Sequence, residues 1–232
     1  MKVTRRDFVA AAGAAVLAGV SRRASADQLG PGEYALDLDR VRDGILYIPK
    51  TYKPGVPMPL VVQFHGAGGS GRALRGTFDM AEEFGFIALA PDSRDDRTWD
   101  ILLGGFGPDV EFLEAAMRQT LARCAVDRQR MSVSGHSDGA SFSLSFGIGA
   151  GDVFGHIIAL SPGVMTPIDA RGKPRLFIAH GTSDPVMPID ETSRRFVPRL
   201  RKLEYDVTYK EYDGGHAAPA SIVHDSFEWL HL

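Results

Sequence analysis

Residues 130–140, RMSVSGHSDGA, join a strand-like run (130–135) to a helix-like one (138–148) through a turn of two residues. Inside the stretch, Gly135-His136-Ser137-Asp138-Gly139 matches G-x-S-x-G. That pattern marks a sharp strand-to-helix turn that holds a serine hydroxyl out in the open. Its flanking glycines remove side chains that would collide with neighbouring segments. The pentapeptide alone is weak in a chain with 26 glycines, and the strand before it and helix after it give it weight. His136, Ser137 and Asp138 do not form a working set among themselves, because adjacent residues on a tight turn project in different directions.

Outward from this turn, strand-like and helix-like stretches alternate. Residues 33–39 and 44–49 read as a hairpin. PLVVQFH (59–65) and GFIALAP (85–91) read as strands buried on both faces, with a helical segment of about 12 residues between them. The clearest helix covers 109–124, where Val110, Leu113, Met117, Leu121 and Cys124 make one apolar stripe. Further strands are expected at 156–161, 175–180 and 206–212, and helices at 190–203 and 219–230. Such alternation predicts an α/β fold, a mostly parallel, doubly wound sheet flanked by helices, in one domain over 27–232. No insertion of cap size separates 156–161 from 175–180, so an open site is expected. In such sheets the ligand site lies beyond the carboxyl ends of the strands.

The strand ends offer two competing motifs. After PLVVQFH comes Gly66-Ala67-Gly68-Gly69-Ser70-Gly71, a literal G-x-G-x-x-G, and Asp92 ends the next strand. On its own this spells a dinucleotide-binding oxidoreductase. Two other strand ends favour the serine. RLFIAH runs into Gly181-Thr182-Ser183-Asp184, and DVTYKEY runs into Asp213-Gly214-Gly215-His216. The chain order Ser137, Asp184, His216 is the one a G-x-S-x-G turn requires, and a dinucleotide fold predicts none of the three. Ser137 is then a nucleophile, His216 its general base and Asp184 the carboxylate that orients the imidazole. Asp213 lies too close to His216 along the chain to orient it, and Asp190 reads as a helix cap.

The chain from about residue 44 to 232 resembles a small α/β-hydrolase serine esterase. The matching stretches are PLVVQFHGAGGSG, GFIALAPD, DVEFL, VDRQRMSVSGHSDGAS, HGTSDPVMPI and EYDGGH. Two branches are similar: the phospholipase/carboxylesterase group, and the esterases akin to polyhydroxybutyrate depolymerases and feruloyl esterases. His136 and Asp138 differ from the residues typical of either branch. The resemblance implies an acyl-enzyme mechanism without cofactor, on a small-molecule ester. It also implies an oxyanion hole made by the backbone N–H groups of Ala67 and Asp138. A thioesterase, a lysophospholipase and a feruloyl or polyester esterase would use the same chemistry; a non-catalytic binding protein on this scaffold would not. Trp99, Phe106, His136 and Met187 lie in strand-end loops or the turn and are candidate pocket residues. His65 and His180 sit at motif positions where the backbone does the work, and no histidine pair has metal-ligand spacing.

The formal charge of -3 is unevenly distributed. Residues 1–26 hold five basic side chains and one acid, leaving 21 Lys and Arg against 28 Asp and Glu in the remainder. A body that acidic is no polyanion binder, so nucleic acid is not an expected partner. MKVTRRDFVAAAGAAVLAGVSRRASA combines a basic start, a 13-residue apolar run (8–20) and an Ala24-Ser25-Ala26 cleavage site. That is signal-peptide anatomy, with too short a run to span a bilayer. Thr4-Arg5-Arg6-Asp7-Phe8 resembles a bacterial twin-arginine export signal. The expected location is periplasmic or secreted, with no stable membrane anchor after cleavage. Cys124, the single cysteine, rules out an intramolecular disulfide and reads as a small core residue.

Overall fold

The computed structural model describes residues 28–103, 107–167 and 169–231. The expected leader and Phe106 therefore lie outside the described residues. Among these residues eight strands form one sheet: β1 (Gly32–Ala35), β2 (Gly44–Ile48), β3 (Met58–Phe64), β4 (Ile87–Pro91), β5 (Val126–His136), β6 (His156–Leu160), β7 (Arg175–Gly181) and β8 (Val207–Tyr212). Their order is β1-β2-β4-β3-β5-β6-β7-β8. The pairs β1–β2 and β2–β4 are antiparallel and every later pair is parallel.

Helices cover both faces: α1 (Phe78–Phe84), α2 (Pro108–Arg123), α3 (Asp138–Gly149), α4 (Ser193–Lys202) and α5 (Ala220–Glu228). Strand residues point alternately to the two faces, which sorts the apolar side chains into two layers. Leu60, Val62, Phe64, Val133, Ile157, Leu176 and Ile178 pack with residues of α2, α3 and α4. Val61, Ala88, Ile158, Leu160, Phe177 and Ala179 pack with residues of α1 and α5. Each fully buried Val, Leu, Ile or Phe among them contributes ~1.5–3 kcal/mol. A strand carrying both sets is largely apolar, which is why β4, β6 and β7 read as nearly unbroken runs.

The helix α2 begins with Pro108, carries Asp109 and Glu111 in its first turn and ends at Arg123, in keeping with its dipole. Its buried stripe is wider than Leu113, Met117 and Cys124, adding Phe112 and Ala116. Burial pushes the Cys124 thiol up to about 11, so it stays neutral in the core. Three local expectations need correction. The segment after β3 is not one helix: a 3-10 turn, Gly71–Thr77, precedes α1. Any side chain at Gly71 would lie 2.0 Å from the Ala90 carbonyl oxygen, so the turn is pressed against β4. Asp190 does not cap a helix either. Thr192 holds that position before α4, and Asp190 pairs with Arg194 at 2.9 Å. Finally, β5 starts four residues earlier than 130, at Val126.

Candidate active site

The turn between β5 and α3 puts Ser137 at φ 59° and ψ -122°. A non-glycine residue in such a conformation costs of order 1–3 kcal/mol, so its surroundings must impose it. A Cβ on Gly135 would lie 2.3 Å from Gly139, and a Cβ on Gly139 would lie 2.0 Å from the Phe64 carbonyl oxygen. Both glycines thus let α3 press onto β5 and β3. The Ser137 N–H donates to the Leu160 carbonyl at 2.9 Å, which ties the turn to β6.

Ser137 Oγ lies 2.8 Å from His216 Nε2, and His216 Nδ1 lies 2.7 Å from Asp184 Oδ2. The ends of β5, β7 and β8 bring these three together. A carboxylate only accepts, so Nδ1 holds the proton and Nε2 is free to take one from the serine hydroxyl. The Asp184 side chain is fully buried. Burial opposes its ionised form, but the N–H groups of Met187, His216 and Val186 outweigh it and hold the carboxyl below its ordinary value. From behind, the His216 carbonyl accepts from His136 Nε2 at 2.8 Å and from Ser161 Oγ at 3.1 Å.

Asp138 opens α3, so its N–H has no partner one turn earlier in the helix. Ala67 is exposed beside Gly66, where a Cβ would sit 3.6 Å from Ser137 Cβ. This loop is tightly held. Gly68 N–H donates to the Arg97 carbonyl at 2.7 Å, and Arg42 Nη2 donates to the Gly69 carbonyl at 2.8 Å. His65 is buried beneath it. Its Nε2 accepts the Ser93 N–H at 3.0 Å, so Nδ1 carries the proton and donates to the Gly66 carbonyl at 2.7 Å. Burial keeps this ring neutral by lowering its pKa.

No family model matches the chain. It is 29% identical over 164 residues to a probable feruloyl esterase C of Aspergillus niger, covering 67% of this chain and 61% of that protein. The chain thus spans about three fifths of the length of the first curated relatives it matches. The crystal structure of esterase PE8 superposes with a TM-score of 0.66 at 22% identity, over 82% of this chain and 97% of that one. A ferulic acid esterase of Anaeromyces mucronatus, in complex with ferulic acid, gives a TM-score of 0.65 at 17% identity, over 86% and 89% of the two chains. This is an α/β-hydrolase fold.

Within the α/β-hydrolase frame the candidate pocket residues differ in their surroundings. Trp99 does not line a pocket: it is 1% exposed, donates Nε1–H to the His65 carbonyl at 2.8 Å and packs on the His65 ring. It braces the glycine loop from below. His136 directs its ring at the His216 backbone, as described above. Met187 is half-buried, and its Sδ packs so close to Gly163 that a Cβ there would come within 2.3 Å. The dinucleotide pattern has no such geometry behind it. Asp92 accepts N–H bonds from Gly71 and Asp43, and the glycine loop enters a 3-10 turn rather than an α-helix.

Two features went unread in the sequence. The His180 side chain is not idle: it is buried and bonded to Asp184, Met187 and Ser193. Asp109 and Asp100 jointly hold the segment that carries Trp99, through N–H bonds from Arg94, Asp100 and Gly107. Among the described residues His224, Asp225 and Glu228 are close enough to share an ion. Two of the three are already engaged, His224 with Glu83 and Asp225 with Lys210.

Proposed function

We propose that the chain is a serine esterase that hydrolyses carboxylic esters through an acyl-enzyme on Ser137. The observation that carries this is the continuous line from Ser137 Oγ through His216 to Asp184, at 2.8 and 2.7 Å. Ser137 Oγ attacks the ester carbonyl carbon while its proton passes to His216 Nε2. The carbonyl oxygen becomes an oxyanion and meets the N–H groups of Ala67 and Asp138, each such donor contributing ~3 kcal/mol. The intermediate collapses, the ester C–O bond breaks and His216 returns the proton to the departing alcohol. Water then attacks the acyl carbon after losing a proton to His216. The second collapse frees the carboxylic acid and restores the serine hydroxyl. Asp184 remains ionised throughout and stabilises the imidazolium.

Among carboxylic esters, feruloyl esters are the substrates we place first, because the matched Aspergillus relative is named as a feruloyl esterase. Residues 1–26 serve as the export leader in this proposal. Among the described residues no helix is long and apolar enough to cross a membrane. A fluorophosphonate probe tests the chemistry: the wild type labels at one site and Ser137→Ala does not. Folded wild type that fails to label overturns the proposal. Methyl ferulate, p-nitrophenyl acetate and an acyl thioester, compared by kcat/KM, then assign the substrate. Export is tested by fractionating cells that express the full chain and its Arg5→Lys, Arg6→Lys variant; equal export of both overturns the twin-arginine route.

A further inference from the structure

The strand β7 ends in His180-Gly181, and the His180 side chain is completely buried. Its Nε2 lies 2.8 Å from the Met187 carbonyl oxygen and 3.1 Å from Asp184 Oδ2. Both are acceptors, so Nε2 must carry the proton and share it between them. Nδ1 is then a lone pair, and Ser193 Oγ, 2.7 Å away at the start of α4, donates to it. Contacts on both ring nitrogens therefore select one neutral tautomer. Burial works the same way, holding the ring below the ordinary histidine value against the pull of Met187 and Asp184.

Asp184 Oδ2 thus receives two imidazole N–H groups, His216 at 2.7 Å and His180 at 3.1 Å. Its other oxygen receives the N–H groups of Val186 and Met187, each at 2.9 Å. His180 also grips the Met187 carbonyl, so it closes the 184–187 turn onto β7. We infer that His180 is the positioning residue of the triad acid: its Nε2–H, fixed by Ser193, holds the Asp184 carboxylate in line with His216 and moderates its charge. This rests on the esterase proposal above.

Two effects follow from removing that N–H. A carboxylate with one donor fewer is less firmly oriented, and misplacement of a catalytic group lowers kcat steeply. The same carboxylate is less satisfied, so it favours the protonated imidazole more strongly and moves the acid limb of the pH profile upward. The neighbouring titratable groups are His136 on β5 and Tyr212 and Glu211 on β8. Glu211 is neutralised by Arg194 of α4 at 2.7 Å, and Arg194 also pairs with Asp190.

The experiment compares full-length wild type, His180→Leu, His180→Gln and Ser193→Ala by probe labelling and by kcat and KM for p-nitrophenyl acetate across pH. His180→Leu should lower kcat ~10–100-fold with KM within about twofold. Its acid limb should rise by roughly half a pH unit. His180→Gln places an amide N–H near the ring Nε2 position and should recover most of kcat and the wild-type limb. Ser193→Ala should fall between, because the tautomer is no longer selected from both sides. A folded His180→Leu with unchanged kcat and limb overturns the inference, as does a His180→Gln no better than it. If His180→Leu does not fold, a Ser193→Ala enzyme that matches the wild type in kcat and limb overturns it instead. Wild type that labels at Ser137 separates these failures from failure of the esterase proposal, whereas unlabelled wild type overturns both.

Discussion

His136 Nε2 donates a hydrogen bond to the His216 carbonyl oxygen at 2.8 Å. The residue before the proposed nucleophile therefore holds the backbone of the proposed base. Ser161 Oγ supplies a second bond to the same oxygen at 3.1 Å, so removing His136 loosens the loop without freeing it. His136→Phe keeps the ring and deletes the donor. We expect kcat to fall ~10-fold with KM unchanged, since the contact orients a catalytic group rather than the substrate. The lost buried bond, worth about 1 kcal/mol, should lower Tm by ~2–4 °C. Steady-state kinetics and a thermal melt check both. A raised KM at unchanged kcat would make His136 a substrate contact instead.

Gly181 makes the parallel case on the β7 side. A Cβ there would lie 2.1 Å from the Gly215 carbonyl oxygen and 2.5 Å from that of Gly214. Gly214 and Gly215 directly precede His216, so Gly181→Ala must push the His216 ring away from Ser137. Its probe-labelling rate should drop by ~100-fold or more while the fold survives, because the loop can move outward without opening the core. Circular dichroism and labelling on one sample decide it. Loss of labelling only in step with unfolding would show a packing role alone.

The residues of the proposed site were legible for one physical reason. Each stands just past the carboxyl end of a strand, Ser137 after β5, Asp184 after β7 and His216 after β8, although β8 is a half-exposed strand rather than an apolar run. His180 was not legible as a side chain, because a histidine closing an apolar run looks the same whether its ring is idle or bonded. Its partners Met187 and Ser193 are set by how the following turn and α4 pack. Trp99 reads as a loop aromatic until the fold slides it beneath the glycine loop against His65 and Phe64. Asp92 shows the converse. Its spacing from the glycines mimics a ribose-binding acid, yet its carboxylate receives the loop's own Gly71 N–H at 2.6 Å. Spacing along the chain does not separate those two uses.

The Asp100–Asp109 pair predicts how stability depends on pH. Asp109 is 2% exposed and accepts the N–H groups of Arg94 and Asp100 at 2.5 and 2.6 Å. Burial nevertheless dominates and lifts its carboxyl to about 6, with the neighbouring Asp100 carboxyl raised as well. A folded value above the unfolded ~3.9 means that the native state keeps a proton which the unfolded chain releases. Stability from this group is therefore complete below about pH 4 and declines as pH rises to about 6. The total is of order 2–3 kcal/mol, shared by the pair because their titrations are coupled. Asp109→Asn carries no proton to release, so its stability should change less over that window. Urea unfolding of both proteins at pH 4 and pH 6.5 measures the difference. Equal losses would mean that native Asp109 keeps no extra proton at pH 4 and ionises where the unfolded chain does. In that case the Arg94 and Asp100 N–H groups, rather than a retained proton, hold the segment that braces His65 under the glycine loop.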